Sequence, residues 1–176
     1  MKTSWENSSK WYNKSVGEYG QYYHQHIIIP NSLKLLNLDQ NSSLIDLGCG
    51  QGVLSRHIPK INKYLGIDIS PSLIFEAQKL SKHLFKVSDI SKELNLNEKF
   101  SNATLILSLQ NIENQNQVIQ NASNLLEKNG QLLIVLNHPA FRIPRQSSWG
   151  IDPQNKLEYR RINRYLSPLK IPVKTH

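Results

Sequence analysis

The chain has 176 residues, with 21 Lys and Arg against 13 Asp and Glu, a net charge of +8, and 39% apolar residues. That composition suits a globular domain with a real core. No apolar run reaches the length of a membrane span, and Met1 to Glu6 hold no apolar signal core. The single cysteine, Cys49, excludes an internal disulfide and a multi-cysteine zinc site, so a cytoplasmic setting and no bound metal are expected.

Taken in order, residues 5–25 are polar but rich in aromatics: Trp5, Trp11, Tyr12, Tyr19, Tyr22 and Tyr23, with His24 and His26. Gly17 and Gly20 interrupt the segment, which predicts a short helix, a loop and a second helix start. Such a segment is either a mobile lid over a site or an amphipathic arm packed on the body. Ile27 to Leu38 continues as a helix with apolar positions 29, 33, 36 and 38 and a bend near Pro30. Asp39 to Asn41 is a turn.

The first strand covers about 43–47 and breaks into three glycines at alternate positions, Gly48, Gly50 and Gly52. A helix is expected from Gln51 to Ile58, stopped by Pro59, with free N–H groups at its start. A second strand, Tyr64 to Asp68, leads into Ser70-Pro71, the N-cap and first position of a helix that runs to about Lys82. Leu84 to Val87 is a third strand, ending at Ser88-Asp89-Ile90. Ala103 to Leu107 is a fourth, apolar throughout as a strand covered on both faces requires. Gln115 to Lys128 reads as a helix closed by Asn129-Gly130, followed by a fifth strand from Gln131 to Leu136.

Strands alternating with helices predict an α/β fold with a doubly wound, mostly parallel sheet. After Asn137 the pattern fades. Ser147 to Gly150 reads as a loop, Asn155 to Tyr165 as a strand or a helix, and Pro168 and Pro172 make the end irregular. Residues 142–176 hold eight Lys and Arg against two Asp and Glu. The expected organisation is an N-terminal helical arm over 1–38, a ligand-binding core over 39–141 and a basic extension over 142–176, read as an incomplete end of the same domain.

A glycine turn at the carboxyl end of a central parallel strand is where open α/β sheets bind ligands. A dinucleotide site wants a third glycine or alanine at position 53, where Val53 stands, and a phosphate loop wants Gly-Lys-Ser or Gly-Lys-Thr, which is absent. Neither lysine nor arginine occurs between 43 and 55, whereas Asp46 stands two residues before the first glycine. An acid suits a cationic ligand better than a pyrophosphate.

Asp46-Leu47-Gly48-Cys49-Gly50-Gln51-Gly52 resembles the first motif of the class I S-adenosylmethionine-dependent methyltransferases, a family with a Rossmann-like sheet. The resemblance covers roughly residues 40–137 and extends to other strand ends. It implies that Asp68 binds both ribose hydroxyls and that Asp89 reads the adenine amino group. Ile69 and Ile90 would flank the adenine, and Ser108 would lie beneath the sulfonium. Leu126 to Ile134 resembles the family's passage into strand five. The cofactor-binding set is therefore Asp46, Gly48, Cys49, Gly50, Gln51, Gly52, Asp68, Ile69, Asp89, Ile90 and Ser108. The subtype resembles the small-molecule branch that includes the ubiquinone and menaquinone methyltransferases, and by analogy with the N-terminal lids of that family Tyr12, Tyr23 and His24 would close over the methionine arm or the substrate.

The resemblance also implies the reaction: direct in-line displacement of the sulfonium methyl towards a small-molecule acceptor, leaving S-adenosyl-L-homocysteine. His138, at a strand's carboxyl end, is the candidate general base where the acceptor holds its proton. Family members finish the sheet with two more strands; no clear pair is visible between Asn137 and His176, so either the tail forms them without a clear pattern or the last strands are lacking. Two alternatives remain. One is an RNA or protein methyltransferase that uses Arg142, Arg145, Arg160, Arg161 and Arg164; the other is a cofactor-binding protein without catalysis.

Overall fold

The computed structural model describes residues 4–138 and 146–166. The chain divides into two compact units, Met1–Leu136 and Asn137–His176. The first unit carries five strands: β1 (Ser43–Leu47), β2 (Lys63–Asp68), β3 (Leu84–Val87), β4 (Phe100–Ile106) and β5 (Leu126–Val135). They form one sheet in the order β3-β2-β1-β4-β5. Every neighbouring pair is parallel. This is the doubly wound α/β sheet that the alternation predicts.

The order reverses between β1 and β4. From β1 the chain moves outward to β2 and β3, then crosses back to β4 and β5 on the other side. At such a switch point the connections leave in opposite directions and open a crevice at the strands' carboxyl ends. The glycine turn after β1 sits there.

Helix α1 (Ser4–Val16) precedes a π-type turn (His24–Ile28) that runs into α2 (Ile29–Leu36). Gly17 and Asn37 close the two helices in left-handed conformation, each donating its N–H back into the last turn. Helix α3 (Pro71–Leu80) starts where Ser70-Pro71 predicts, the Ser70 hydroxyl accepting from the Leu73 N–H at 3.3 Å. Helix α4 (Gln115–Leu125) is capped by the Asn114 side chain.

The strand alternation of β1 divides the core. Ile45 and Leu47 face one cluster, with Ile67, Ala103, Leu105, Val118, Ala122 and Leu125. Leu44 faces the other, with Tyr64, Val53, Leu54 and the arm residues Val16 and Ile29. Asp46 lies between these strands, 3% exposed. Its two oxygens accept from the Tyr64 hydroxyl at 2.9 Å and the Thr104 hydroxyl at 2.8 Å, so it links β1 to both neighbours.

Three sequence expectations are corrected. The helix expected over 51–58 is a single 3-10 turn, Leu54–Arg56. Gly50 and Gly52 both hold positive φ, and Pro59 leaves no length for a regular helix. Helix α4 ends at Leu125 rather than Lys128, and β5 starts at Leu126. Asn129-Gly130 is not a helix stop. It lies in a bulge of β5, where the register jumps from Phe100↔Leu126 to Asn102↔Gln131 and Asn129 takes positive φ.

The third correction concerns the second unit, where Ser147 to Gly150 is not a loop. β6 (Ser147–Asp152) and β7 (Leu157–Ile162) form an antiparallel hairpin, a two-stranded sheet of its own. Asp152 closes its turn, accepting from the N–H groups of Gln154 and Asn155 at 3.0 and 3.2 Å. Residues 139–145, with Arg142 and Arg145, lie outside the described residues. So do Pro168 and Pro172. Among the described residues no helix is long and apolar enough to cross a membrane.

Burial raises the Asp46 carboxyl from its ordinary 3.8 to about 6, against the lowering pull of its bonds from Thr104 and Tyr64. A raised carboxyl keeps its proton longer in the folded chain than in the unfolded one. Its stability cost is therefore absent below pH 4, grows through pH 4–6 and is complete above. Asp46→Asn should match the wild type near pH 4 and exceed it by on the order of 2 kcal/mol at pH 7 in urea unfolding. A difference that stays constant with pH would count against this account.

Candidate functional site

The turn after β1 is built by bonds inside the fold. The N–H groups of Gly48 and Cys49 both donate to the Ile67 carbonyl, at 2.7 and 3.0 Å. The Gly50 N–H donates to an Asp68 oxygen at 2.9 Å, and Gly52 N–H to the Cys49 carbonyl at 2.9 Å. These amides are spent within the turn, and no regular helix follows. The expected row of free N–H groups at a helix start is thus not found. That is poor provision for a phosphate, consistent with the absence of a basic residue in the turn.

Gly48, Gly50 and Gly52 all take positive φ, at 76°, 55° and 71°. At Gly48 the need is doubled, because a Cβ there would overlap the Cβ of Ser108. Ser108 follows β4 and donates its hydroxyl to the Leu47 carbonyl at 2.9 Å. Ile90 reaches the same place: its Cδ1 lies 3.9 Å from where that Cβ would stand. Gly48, Ser108 and Ile90 are thus brought together from three strand ends, across the switch point.

Asp68 ends β2 and is 9% exposed. One oxygen takes the Gly50 N–H, and the other takes the Ser70 N–H at 2.9 Å. Burial raises its carboxyl, the backbone bonds oppose that rise, and Glu6 nearby adds to it. Asp89, after β3, turns one oxygen onto its own loop, accepting from the Ser91 N–H and hydroxyl at 3.0 and 2.6 Å. Ile69 is half-buried. Gln51 is buried, with its side-chain amide donating to the Gly17 carbonyl at 2.9 Å. The surroundings of Cys49 disfavour its thiolate. Burial, with Asp46 and Asp68 nearby, pushes its thiol well above the ordinary value.

The N-terminal arm lies across this site. Tyr12 reaches Gly50, its ring and hydroxyl 3.6 Å from a Cβ built there. Burial first, then Asp68, Cys49 and Asp46, push the Tyr12 hydroxyl up to about 12. Glu6 of α1 reaches the start of α3, accepting from the Ser70 hydroxyl at 2.6 Å and from the Ser72 hydroxyl. Arg56 holds the linker after α1 by donating to the Glu18 and Gln51 carbonyls, both at 2.7 Å. Tyr12, His24, Asp46, Gly48 and Cys49 line a cavity with about 360 Å³ of empty space, partly open to solvent, beside Ile29, Val53, Leu54 and Ile106. Tyr23, the third residue considered for a lid, is exposed and does not line it.

His138 belongs to the second unit, where its ring stacks on Tyr165 at 6.3 Å between centroids. Among the described residues no group of three or more His, Cys, Asp or Glu is placed to hold a metal ion. Glu6 and Arg56 were not among the sequence candidates. Glu6 acts on residues 64 and 66 positions away, and no local pattern signals that.

The donor set fits a nucleoside with a cationic amino-acid arm. Paired carboxylate oxygens stand at a strand end, apolar groups at the neighbouring end, and Asp46 and Asp68 raise their neighbours' pKa values by negative charge. A methyltransferase domain family model matches residues 18–168. The chain is 31% identical over 110 residues to an uncharacterized methyltransferase of Schizosaccharomyces pombe, covering 57% of this chain and 42% of that protein. It is 30% identical over 115 residues to a protein of Invertebrate iridescent virus 6 named as a methyltransferase, covering 63% and 43%. The chain thus spans less than half the length of these curated relatives. The crystal structure of an S-adenosylmethionine-dependent methyltransferase from Mesorhizobium loti superposes with a TM-score of 0.64 at 25% identity, covering 78% of this chain and 65% of that one.

Gly48→Ala should destabilise the fold by about 2 kcal/mol or more in urea unfolding, through its positive φ and its overlap with Ser108. Adding Ser108→Gly should restore part of the loss by removing the overlap and leave the backbone part. No recovery in the double variant would show that contact to be unimportant.

Proposed function

The chain belongs to the methyltransferase domain family, the class I S-adenosylmethionine-dependent enzymes, and on that premise we propose that it moves the sulfonium methyl of S-adenosylmethionine to a small-molecule acceptor. The observation that carries the reading is Asp68: a buried carboxylate at the end of β2, fastened to the glycine turn through Gly50. Its paired oxygens, held by backbone N–H groups, retain acceptor capacity at the strand end, which supports a vicinal diol as their ligand.

In this reading Asp68 takes the two ribose hydroxyls. Asp89 faces the adenine amino group, and Ile69 and Ile90 cover the adenine faces. Gly48 to Gly52 let the donor lie close to the backbone, while Ser108 sets the floor at the switch point. Asp46 supplies negative charge towards the amino-acid arm. When bound, the donor brings a methyl group already activated by its positive sulfur, which suits in-line displacement.

The protein's own work is then orientation and the exclusion of water. Tyr12 and α1 cover the turn from the arm side, and Ser70 and Glu6 hold that cover against α3. His138 has a part only for an acceptor that retains its proton, which it would take at a ring nitrogen. A cytoplasmic setting belongs to the same proposal, supported by the lone thiol, Cys49.

Calorimetry with S-adenosylmethionine tests the common core. Asp68→Ala should weaken binding roughly tenfold or more, for the loss of two hydrogen bonds to a charged group. Equal affinity would refute the assignment. Labelled methyl from the donor should enter a small-molecule extract and not RNA; label in RNA alone would reassign the acceptor.

A further inference from the structure

The crossover from β3 to β4, residues 88–99, carries the chain back across the sheet without a helix or strand of its own. Leu94 and Leu96 pack it against the core, so part of its backbone is drawn away from water and needs partners. Those partners come from α4.

Asn121 is 1% exposed and shares the buried stripe of α4 with Val118, Ala122 and Leu125. An amide is a poor occupant of such a place. Asparagine is weak in helix interiors, and a buried polar group is costly unless it is bonded. Here it is bonded at every point. Its Nδ2 donates to the Ile90 carbonyl at 2.9 Å and to the Lys92 carbonyl at 2.7 Å. Its Oδ1 accepts from the Leu94 N–H at 3.1 Å and from the Gln117 side chain at 3.2 Å. Two donors and two acceptor positions are all that an amide has. Asn114, the N-cap of the same helix, donates to the carbonyl in between, that of Ser91, at 3.2 Å. Two side chains of one helix thus fasten the successive carbonyls of Ile90, Ser91 and Lys92.

This clamp holds the end of β3. Asp89 stands directly before it, and the Asp89 carbonyl accepts from the Lys92 N–H at 3.1 Å. The Asp89 Oδ1 is turned onto Ser91, and its Oδ2 lies 3.8 Å from the Lys92 ammonium. Both residues that orient the Asp89 carboxylate therefore belong to the clamped run. Ile90 lies within it, 5% exposed, and reaches towards Gly48. We infer that Asn121, with Asn114 beside it, is a positioning residue for the donor's base, one that sets the preference for a purine carrying a 6-amino group; this rests on the reading in which Asp89 faces that group. The bonding capacity of Asn121 is filled within the fold, so it acts through the loop and not by contact with the base.

Calorimetry of the full chain with two ligands tests it: S-adenosyl-L-homocysteine and its analogue with hydrogen in place of the 6-amino group. The wild type should bind the first roughly tenfold more tightly, as one hydrogen bond to a carboxylate allows. Asn121→Ala should cut that ratio to about twofold or less and leave the analogue's affinity nearly unchanged. Asn114→Ser keeps a good N-cap but is too short for the Ser91 carbonyl, so it should fold normally and lower the ratio by a smaller factor. A merely structural Asn121 would lower urea stability and weaken both ligands equally, with the ratio intact, and that result overturns the inference. Should Asn121→Ala fail to fold, an unchanged ratio in Asn114→Ser overturns it alone. Asp89→Ala separates the two levels. A ratio lost there but kept in both asparagine variants sinks the Asn121 assignment only; a wild type without the ratio, or an Asp89→Ala that keeps it, removes the base reading and the role of Asn121 with it.

Discussion

The first unit depends on one carboxylate joining two turns. Asp68 bonds the Gly50 N–H with one oxygen and the Ser70 N–H with the other. The turn after β1 and the start of α3 are therefore fixed to the same side chain. Ile67, the residue before it, holds the Gly48 and Cys49 amides. The end of β2 thus sets the shape of the turn after β1, and parallel pairing from Ser43↔Lys63 to Leu47↔Ile67 puts it in reach. Without that register the three glycines would be a flexible link, and no regular helix follows them to impose order.

The same placement gives the site its electrostatic sign. Asp46 and Asp68 are both buried, and neither forms an ion pair among the described residues. Their charge adds to burial in raising Tyr12 and Cys49. Burying carboxylates without a cation is costly, so the fold holds them with hydroxyl and amide donors instead. The result is a negative crevice of limited stability, the state a cationic ligand neutralises. Arg56 bonds the neutral carbonyls of Glu18 and Gln51 and forms no ion pair with either acid among the described residues.

The sheet was legible because its central strands, β1 and β4, are buried along most of their length. Leu44 to Leu47 and Ala103 to Ile106 are nearly continuous apolar runs, and each ends in residues that break the pattern. The acids at 68 and 89 were legible for the same reason: a strand end is visible, so what stands there is visible. The reading failed where a local signal had two meanings. Gln51 to Ile58 has helical spacing, yet glycine conformations and Pro59 leave one 3-10 turn. Asn129-Gly130 is a good helix stop by composition and serves instead to bulge β5. In the hairpin β6 was missed and β7 was read only as strand or helix, because Trp149, Ile151, Leu157 and Tyr159 are exposed and alternate with charged and polar residues, so no buried face marks the strands. Asp152-Pro153-Gln154-Asn155 was the available turn signal. Glu6 was invisible for a deeper reason: its partners, Ser70 and Ser72, lie far along the chain.

The cavity's two walls differ in how firmly they are held. The β1 wall is part of a sheet whose neighbouring residues are fully buried, and its turn is fixed by Ile67 and Asp68. The arm wall rests on apolar contacts from Val16 and Ile29 and on a few polar bonds at its edge. These are Glu6 to Ser70 and Ser72, Gln51 to the Gly17 carbonyl and Arg56 to the Glu18 carbonyl. Each such bond is worth about 1 kcal/mol net, because water replaces it when it opens. Withdrawing α1 and its linker therefore costs far less than deforming the turn, and the glycines at 17 and 20 supply backbone freedom beside it. The arm wall, with Tyr12 and His24, is thus the less firmly held of the two, and the sheet wall, with Asp46 and Gly48, is the more rigid.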